Sequence, residues 1–397
     1  MDFQLSAEER AFAESVRRFA RAELAAGALE RAHSPKYPWE TAQKIARQGL
    51  MGIAFPESEG GAGGTLMDSV IAIEEVALAC PRSADIVQAG NFGPIRTFVE
   101  YATPEQKKRF LPDLLGGRKI MSLGMTEPDA GSAVTDLRTS ATKKDGGYLV
   151  NGSKIFSTHS PEASLFLVYV RFGPGVEGIG SVLIERDTPG FTIGKPSRFM
   201  NGEEWSQLYF KDAFVPAANL LLGPGGFKKQ IAGFNVERLG NAARSLALGR
   251  HAFNLAREYA STRKQFDREL CEFQGLQWKF AEMAVKLDAA QLLLYRAVAN
   301  AGGGLPDAYE TAAAKLACNL AGWEVSNDAL QAMGGTGFSE ESIVEYCVRR
   351  TRGWMIAGGS IEMLKNRIAE SVFERKFSQR TGHSSEGWNP EDSRKGS

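Results

Sequence analysis

The sequence predicts an α+β protein of several domains, with a helical segment, then an antiparallel β segment, then a four-helix bundle. Three observations predict it: helical apolar spacing before residue 121, short strand-like runs up to residue 226, and long helical patterns after it. Strands and helices do not alternate, which excludes a doubly wound nucleotide-binding fold. The chain has 397 residues, more than one ordinary core accommodates, so two or three domains are expected.

The first segment, residues 1–120, is predicted to be helical. Apolar residues recur at helical spacing from Phe12 onward, and Ser6 precedes Glu9 by three positions, as in a capping box. The glycine-rich stretch at 59–64 has neither a Walker lysine nor a strand-to-helix setting. We therefore interpret that stretch as a loop between helices and not as a phosphate-binding loop.

The middle segment, residues 121–226, is predicted to form an antiparallel β domain, because no long helical pattern interrupts its short apolar runs. Turn residues separate these runs. The runs lie at 148–150, 164–170 and 179–184, and the turns lie at 145–147 and 188–190.

The third segment, residues 227–378, returns to helical patterns and is predicted to form the bundle. Small residues such as Ser245 and Gly249 share one face of its first long helix, which favours close helix packing. A second long helix is expected around 316–323. The last residues, 379–397, are polar and poor in aliphatics, so we expect a disordered tail.

Composition excludes several classes of function. Lys plus Arg number 47 and Asp plus Glu number 47, so the chain lacks the basic excess of a nucleic-acid or anionic-membrane partner. The four cysteines form no CxxC pair and there are only four histidines, so we expect free thiols in a reducing compartment and no metal site. With neither a signal peptide pattern nor a membrane span in the sequence, a cytoplasmic location is the default expectation.

Four motifs occur in a fixed order along the chain. Taken together, they resemble the acyl-CoA dehydrogenase family over residues 4 to 376, which is nearly the whole chain. The first matches the family's T-E-P-x-A-G-S signature at all six fixed positions, and the second its N-G-x-K-x-W-I-T strand. The motifs are S-L-G-M-T-E-P-D-A-G-S at 122–132, N-G-S-K-I-F-S-T at 151–158, Y-A-S-T-R-K-Q-F at 259–266 and Q-A-M-G-G-T-G at 331–337.

The resemblance implies an FAD cofactor held partly by the first two motifs. Met125 and Thr126 would lie against the pyrimidine side of the flavin, and Thr158 would bond its N5 edge. Phe156 stands where the family has a tryptophan that covers one flavin face, which keeps stacking available but puts the usual re-oxidation partner in doubt. Ser132 would reach the pantetheine or phosphate part of acyl-CoA.

The resemblance further implies that the later motifs bind the FAD pyrophosphate and adenosine of a neighbouring subunit in a homotetramer. An arginine fork suits phosphate oxygens, and glycines let backbone N–H groups approach an anion. Asp267 replaces the glycine that the family has after the third motif. The implied cofactor residues are Arg263, Phe266, Gln274, Gln331, Gly334, Gly335 and Ser360.

The reaction of this family requires a carboxylate base, because thioester α-protons are weakly acidic. Many members carry it in a Y-E-G-T segment, but here that position is Gly358. The segment F-N-V-E-R at 234–238 resembles the L-D-x-E-R helix start of the isovaleryl-CoA and long-chain branches, which pair a helix Glu with a Gly at the other position. The resemblance therefore implies Glu237 as the base, the Gly358 N–H as a donor to the thioester oxygen, and Arg238 as a substrate residue. Without these motifs, a solvated first-turn glutamate would be the simpler interpretation of Glu237.

We therefore expect α,β-dehydrogenation of a short, branched, cyclic or substituted acyl-CoA, with electron-transfer flavoprotein or oxygen as the acceptor. One alternative is another flavin reaction on the same scaffold, either by an oxygen-using oxidase or by an acyl-CoA desulfinase. The desulfinase resembles the chain at 37–39, 273–278 and 356–359 but has Gln at the Glu237 position. A catalytically silent scaffold is a third alternative, against which the intact cofactor motifs argue.

Overall fold

The computed structural model describes residues 4–302 and 304–377. The chain forms two compact units. The helical unit contains the described residues up to Ser34 together with Pro38–Gly93 and Asn235–Phe373, and the β unit contains Pro35–Tyr37, Pro94–Phe234 and the described residues from Glu374. The predicted tail at 379–397 lies outside the described residues.

Helices make up most of the helical unit and also flank the sheet of the β unit. The helices are α1 (Ala7–Glu23), α2 (Ala28–His33), α3 (Trp39–Arg47), α4 (Leu66–Ala79), α5 (Pro81–Asn91), α6 (Pro94–Tyr101), α7 (Pro104–Leu115), α8 (Phe227–Ala260), α9 (Gln274–Ala301), α10 (Ala308–Met333), α11 (Gly335–Phe338), α12 (Ile343–Trp354) and α13 (Ile361–Val372).

Local sequence explains where several helices begin. Ser6 and Glu9 form the predicted capping box of α1, and Thr65 and Thr103 cap α4 and α7 in the same way. The glycine-rich stretch before Thr65 is a loop that follows a short 3-10 turn, as predicted. No helix in the described part of the chain is long and apolar enough to cross a bilayer.

The long helices α8 and α10 approach each other closely. A methyl group built on Gly249 would lie 2.8 Å from the Cα atom of Gly322, so a side chain at either position would push the two helices apart. The predicted small-residue face of α8 thus packs in the core of the helical unit, where Ala242, Ala243 and Leu246 are buried.

The β unit contains a mixed sheet of nine strands. Its main path runs β6-β8-β3-β2-β4-β5-β9, with β1 paired to β4 and β7 paired to β8. The strands are β1 (Met121–Gly124), β2 (Ser140–Lys144), β3 (Gly147–Thr158), β4 (Leu165–Arg171), β5 (Ile179–Glu185), β6 (Phe191–Ile193), β7 (Ser197–Arg198), β8 (Glu204–Pro216) and β9 (Leu220–Leu222). A small hairpin of β10 (Lys264–Gln265) and β11 (Arg268–Glu269) lies in the helical unit.

The α+β fold class predicted from the sequence is confirmed, and one detail of the sheet is corrected. The sheet is not antiparallel throughout, because β1 pairs parallel with β4 and a single residue pair joins β2 and β4 in parallel. Every residue of β4 is buried, as expected of a strand covered on both faces. Strand β3 is irregular opposite β8 between Lys154 and Ser157, in the stretch that contains Phe156.

Candidate active site

Glu237 lies on α8 in the helical unit, beside the end of α5. Its Oε2 atom accepts a hydrogen bond from Nε2 of Gln88 at 2.8 Å. A methyl group built on Gly93 would lie 3.2 Å from the same oxygen, and Gly93 has a φ of +73°, so a side chain there would be both strained and crowded. The Glu237 side chain keeps part of its surface accessible, so it is held by protein atoms and still open to a ligand.

The surroundings of Glu237 change its acidity. Burial raises the pKa of the Glu237 carboxyl to about 7, although the cations Arg244 and Lys315 and the hydrogen bonds from Gln88 and the Gly93 backbone act in the opposite direction. Desolvation penalises the anion, and the hydrogen bonds and distant cations recover only part of that penalty. A carboxyl group with this pKa can take up a proton near neutral pH and release it again.

The glycine pair Gly358 and Gly359 lies between α12 and α13, with φ angles of +75° and +94°. These angles favour glycine, which explains the absence of side chains at both positions. Nε of Arg238 donates to the Gly358 carbonyl at 3.1 Å, and Nζ of Lys315 donates to the Gly359 carbonyl at 3.0 Å. Cations from α8 and α10 therefore fix both carbonyls, and with them the orientation of the adjoining peptide groups.

Three further residues of the helical unit are Ser360, Glu362 and Arg238. Ser360 caps α13, where its hydroxyl accepts from the Met363 N–H at 3.5 Å. Glu362, the nearest alternative carboxylate in sequence, is exposed on α13. The pKa of the Glu362 carboxyl is lowered by backbone and Ser360 hydrogen bonds, so it stays an anion at neutral pH. Arg238, for which the resemblance implied a substrate contact, donates a hydrogen bond to the Gly358 carbonyl.

In the β unit, the loop of the first motif is fixed by a buried ion pair. Glu127 accepts from Nζ of Lys154 at 2.8 Å and from the backbone N–H groups of Arg138 and Thr139 at 2.6 and 2.9 Å. The Lys154 ammonium also donates to the Met125 carbonyl at 3.2 Å. The Glu and Lys of the two motifs are thus structural partners that hold the loop containing Met125.

The backbone between the two motifs is also fixed. The Ile155 N–H donates to the Thr126 carbonyl at 2.8 Å, and the Ser122 hydroxyl donates to the Thr158 carbonyl at 2.8 Å. These bonds hold the first motif alongside the second, and Met125, Thr126 and Thr158 are each half-buried. Ser132, farther along the first motif, is exposed.

Phe156 has two unusual features. Its φ angle is +60°, a conformation that costs free energy for an aromatic residue, and its side chain is 51% exposed. Its ring lies 4.7 Å from that of Trp205 and 6.1 Å from that of Phe199, so three aromatic rings form one accessible cluster. An apolar, partly exposed aromatic surface beside half-buried polar groups fits a flat heteroaromatic ring such as a flavin.

The remaining predicted cofactor residues lie on the surface of the helical unit. Arg263, Gln274, Gln331, Gly334 and Gly335 are exposed. The hydroxyls of Tyr259 and Thr336, 3.3 Å apart, join the two segments. Phe266 is 90% exposed, with a φ of +52°.

Comparison with known proteins assigns the family. The N-terminal, middle and C-terminal domain models of acyl-CoA dehydrogenases match residues 6–118, 122–213 and 224–373. The chain belongs to the acyl-CoA dehydrogenase family, and it is an oxidoreductase of that class. The family is one of flavoproteins, so the predicted FAD cofactor is confirmed.

Individual relatives cover almost the whole chain. The 3-sulfinopropanoyl-CoA desulfinase of Paraburkholderia xenovorans is 33% identical over 95% of this chain and 99% of the relative. The short-chain specific acyl-CoA dehydrogenase of Clostridium acetobutylicum is 34% identical over 94% of this chain and 100% of the relative. The structure of butyryl-CoA dehydrogenase from Megasphaera elsdenii superposes with a TM-score of 0.88 at 32% identity, covering 94% of this chain and all of that chain, 100%.

Sequence reasoning missed the residues that surround Glu237. Gln88 and Gly93 belong to no motif, and Gln88 lies 149 positions from Glu237, so no local pattern indicated either. Lys315 is likewise distant in sequence. Asn241 was the one detectable neighbour, because it follows Glu237 by four residues on a predicted helix and therefore shares its face.

Proposed function

We propose that the protein removes two hydrogens from the α and β carbons of an acyl-CoA thioester, with Glu237 as the base that takes the α-proton. The observation that supports this most strongly is a partly accessible glutamate whose pKa is raised to about 7 by burial. A base in that range holds the right protonation state near neutral pH and still has the strength to accept a proton.

The residues around Glu237 have distinct roles in this proposal. Gln88 donates to Oε2 of Glu237 and the Gly93 backbone also donates to the carboxylate, so we assign both residues to holding the base in position. The Gly358 N–H donates to the thioester oxygen as negative charge develops there, and Arg238, bonded to the Gly358 carbonyl, keeps that peptide group in orientation. Fixed donors of this kind lower the barrier because they need not reorganise during the reaction.

Bound FAD supplies the acceptor for the hydride that leaves the β-carbon. We propose that Met125, Thr126 and Thr158 bond the polar edge of the flavin and that Phe156 covers one of its faces. The left-handed backbone of Phe156 supports this assignment, since such strain persists at sites where orientation matters. Ser132 is proposed to contact the CoA portion of the substrate.

A homotetramer with one FAD per chain is also part of the proposal. Trp278, Val285 and Leu292 follow one another at seven-residue intervals on α9, and all three are exposed, at 62%, 68% and 49%. Such a stripe on one helix face suits a contact between copies of the chain. The exposed Arg263 and Gln331 segments would then bind the pyrophosphate and adenosine of a neighbouring subunit's cofactor. A monomer in light scattering that retains FAD fully would contradict this assembly.

The acyl group is proposed to be short and branched, cyclic or substituted. This part of the proposal rests on Gly358 and Ala357, which stand where the family pattern has larger residues. Faster reduction by octanoyl- or palmitoyl-CoA than by every branched short acyl-CoA would contradict this part of the proposal.

A second candidate function is elimination of sulfinate, because several relatives that are 33% to 35% identical bear the name 3-sulfinopropanoyl-CoA desulfinase. Glu237 favours dehydrogenation, since the desulfinase resemblance implies Gln at that position. Sulfite release from 3-sulfinopropanoyl-CoA without loss of flavin absorbance would identify the elimination.

The proposed function is tested by mixing the FAD-loaded protein anaerobically with a panel of acyl-CoAs while the long-wavelength flavin absorbance is recorded. Rapid bleaching by at least one acyl-CoA is expected. If no member of a panel of straight, branched, cyclic and acidic acyl-CoAs bleaches the flavin, dehydrogenation is wrong. Re-oxidation in air or by electron-transfer flavoprotein then distinguishes the two proposed acceptors.

A further inference from the structure

The side-chain amide of Asn241 is buried and has no hydrogen-bond partner among the described residues. It lies on α8, four residues beyond Glu237, and its side chain is 0% exposed. Within the described part of the chain, neither its amide nitrogen nor its amide oxygen has a hydrogen-bond partner. A buried amide without partners destabilises a fold, and an apolar residue would pack there at less cost. Hydrogen bonding within the described residues therefore does not explain why an asparagine occupies this position.

The Asn241 amide faces the space beside Gly358. A methyl group built on Gly358 would lie 3.2 Å from Nδ2 of Asn241, 3.4 Å from Cε of Lys315 and 4.0 Å from Nζ of Lys315. Lys315 is itself 0% exposed, and its ammonium donates to the carbonyls of Trp354 and Gly359. When protonated, the Lys315 amine has three N–H groups, so one remains besides the two that bond these carbonyls. Two nitrogen donors, Nδ2 of Asn241 and Nζ of Lys315, thus lie beside the glycine.

The electrostatic environment of this space is positive. Arg244 and Lys315 are the charged groups that act on Glu237, and both lower its pKa. Burial, and after it the charge of Arg238, lowers the pKa of Lys315 to about 7, while the charge of Glu237 acts in the opposite direction. Arg244 of α8 is itself paired with Asp85 of α5 at 2.7 Å, and Asp85 also pairs with Arg82 and Arg350 at 3.2 and 3.1 Å. A negatively charged oxygen is the ligand that this arrangement of donors and charges favours.

We infer that the acyl group carries an oxyanion, a carboxylate or a sulfinate, whose oxygen accepts hydrogen bonds from Asn241 and Lys315. The inference rests on the proposed function, because Glu237 must reach the α-carbon for the acyl chain to lie along this face. Four residues of α-helix rise about 6 Å, so the charged group lies a few bonds beyond the α-carbon. Asn241 is then a specificity residue that distinguishes acidic acyl groups from branched apolar ones of the same shape.

Matched pairs of acyl-CoAs test the inference. Glutaryl-CoA and 5-methylhexanoyl-CoA have nearly the same shape, as do succinyl-CoA and 4-methylpentanoyl-CoA, and within each pair only the first carries a carboxylate. The rate of anaerobic flavin bleaching at low acyl-CoA concentration gives kcat/KM for each. We expect the acidic member of at least one pair to be faster by about tenfold or more, the effect of one hydrogen bond to a charged group.

Variants at position 241 assign the preference to this residue. Asn241→Leu keeps most of the volume and removes the donor, and Asn241→Asp is isosteric but repels an anion. Both should lower the acidic-to-branched rate ratio by about tenfold or more. Ser326→Ala, a buried change on α10 outside the site, should leave the ratio unchanged. Because the result is a ratio within one FAD-loaded variant, a modest loss of stability does not alter it.

The outcomes separate the two proposals. Faster bleaching by the branched member of both pairs, or a ratio unchanged in the Leu and Asp variants, overturns the inference and leaves dehydrogenation standing. Bleaching by no acyl-CoA overturns dehydrogenation itself. Binding of 3-sulfinopropanoyl-CoA and succinyl-CoA distinguishes a sulfinate from a carboxylate. If 3-sulfinopropanoyl-CoA binds more tightly and Asn241→Leu removes the difference, the group is a sulfinate. If succinyl-CoA binds more tightly and Asn241→Leu removes that difference, the group is a carboxylate.

Discussion

Each unit contains a glutamate whose acidity is affected by a lysine, and the pKa of the carboxyl is shifted in opposite directions in the two units. In the β unit, Lys154 lies 2.8 Å from Glu127, and with two backbone N–H groups it holds the pKa of Glu127 below its usual range. In the helical unit, Glu237 has no such ion pair among the described residues, and burial raises its pKa to about 7. A directly paired carboxylate is a fixed anion that supports a loop, whereas an unpaired one can exchange a proton near neutrality.

The largest expected effect is on the rate of flavin reduction. Glu237→Gln keeps the volume and an acceptor for Gln88 but removes the basicity, so anaerobic bleaching by a substrate should slow by at least ~10³-fold, within the range expected for a positioned base. The matched control is Glu362→Gln on the exposed face of α13, which should react at close to the unmodified rate. FAD content and acyl-CoA binding should persist in both variants. If bleaching persists in Glu237→Gln and is lost in Glu362→Gln, the base is Glu362 and not Glu237.

The second prediction concerns the other glutamate. Lys154→Met leaves the Glu127 carboxylate buried without its cation, and it should lower the free energy of unfolding by about 3 kcal/mol or more. The double variant Glu127→Gln with Lys154→Met should regain part of that loss, because no unpaired charge remains. Thermal unfolding of the FAD-free proteins measures both. If Lys154→Met and the double variant lose the same free energy of unfolding, the ion pair does not stabilise this loop.

The third prediction is a difference in pH dependence. A folded pKa near 7, above the unfolded value of about 4.3, means that Glu237 lowers stability as pH rises from 4.5 to 7. Glu237→Gln should therefore be more stable than the unmodified protein by roughly 1–3 kcal/mol at pH 8, with the difference shrinking towards pH 4.5. Glu127 has a lowered pKa, so its contribution is lost as pH falls, and Glu127→Gln should be destabilised most at neutral pH. Parallel pH profiles for the two variants would contradict the comparison.

The same two glutamates show how far the sequence predicts the site. Periodicity predicted the order of helices and strands because it is a local property. The parallel pairing of β1 with β4 was missed because the two strands are distant in sequence. Motif resemblance predicted Glu237 and Gly358 as a pair, but it could not predict what sets the acidity of Glu237. Gln88, Gly93 and Lys315 reach it only through the packing of α5 and α10 around α8.

The most direct test of Glu237 as the base is exchange of the substrate's α-proton with solvent. The flavin is reduced beforehand so that no hydride can be accepted, an acyl-CoA is added in D₂O, and deuterium at the α-carbon is followed by NMR. Exchange should be catalysed by the unmodified protein and by Glu362→Gln, should rise with pH through about 7, and should be abolished in Glu237→Gln. Exchange at an undiminished rate in Glu237→Gln, with FAD and acyl-CoA bound, would contradict the assignment of the base.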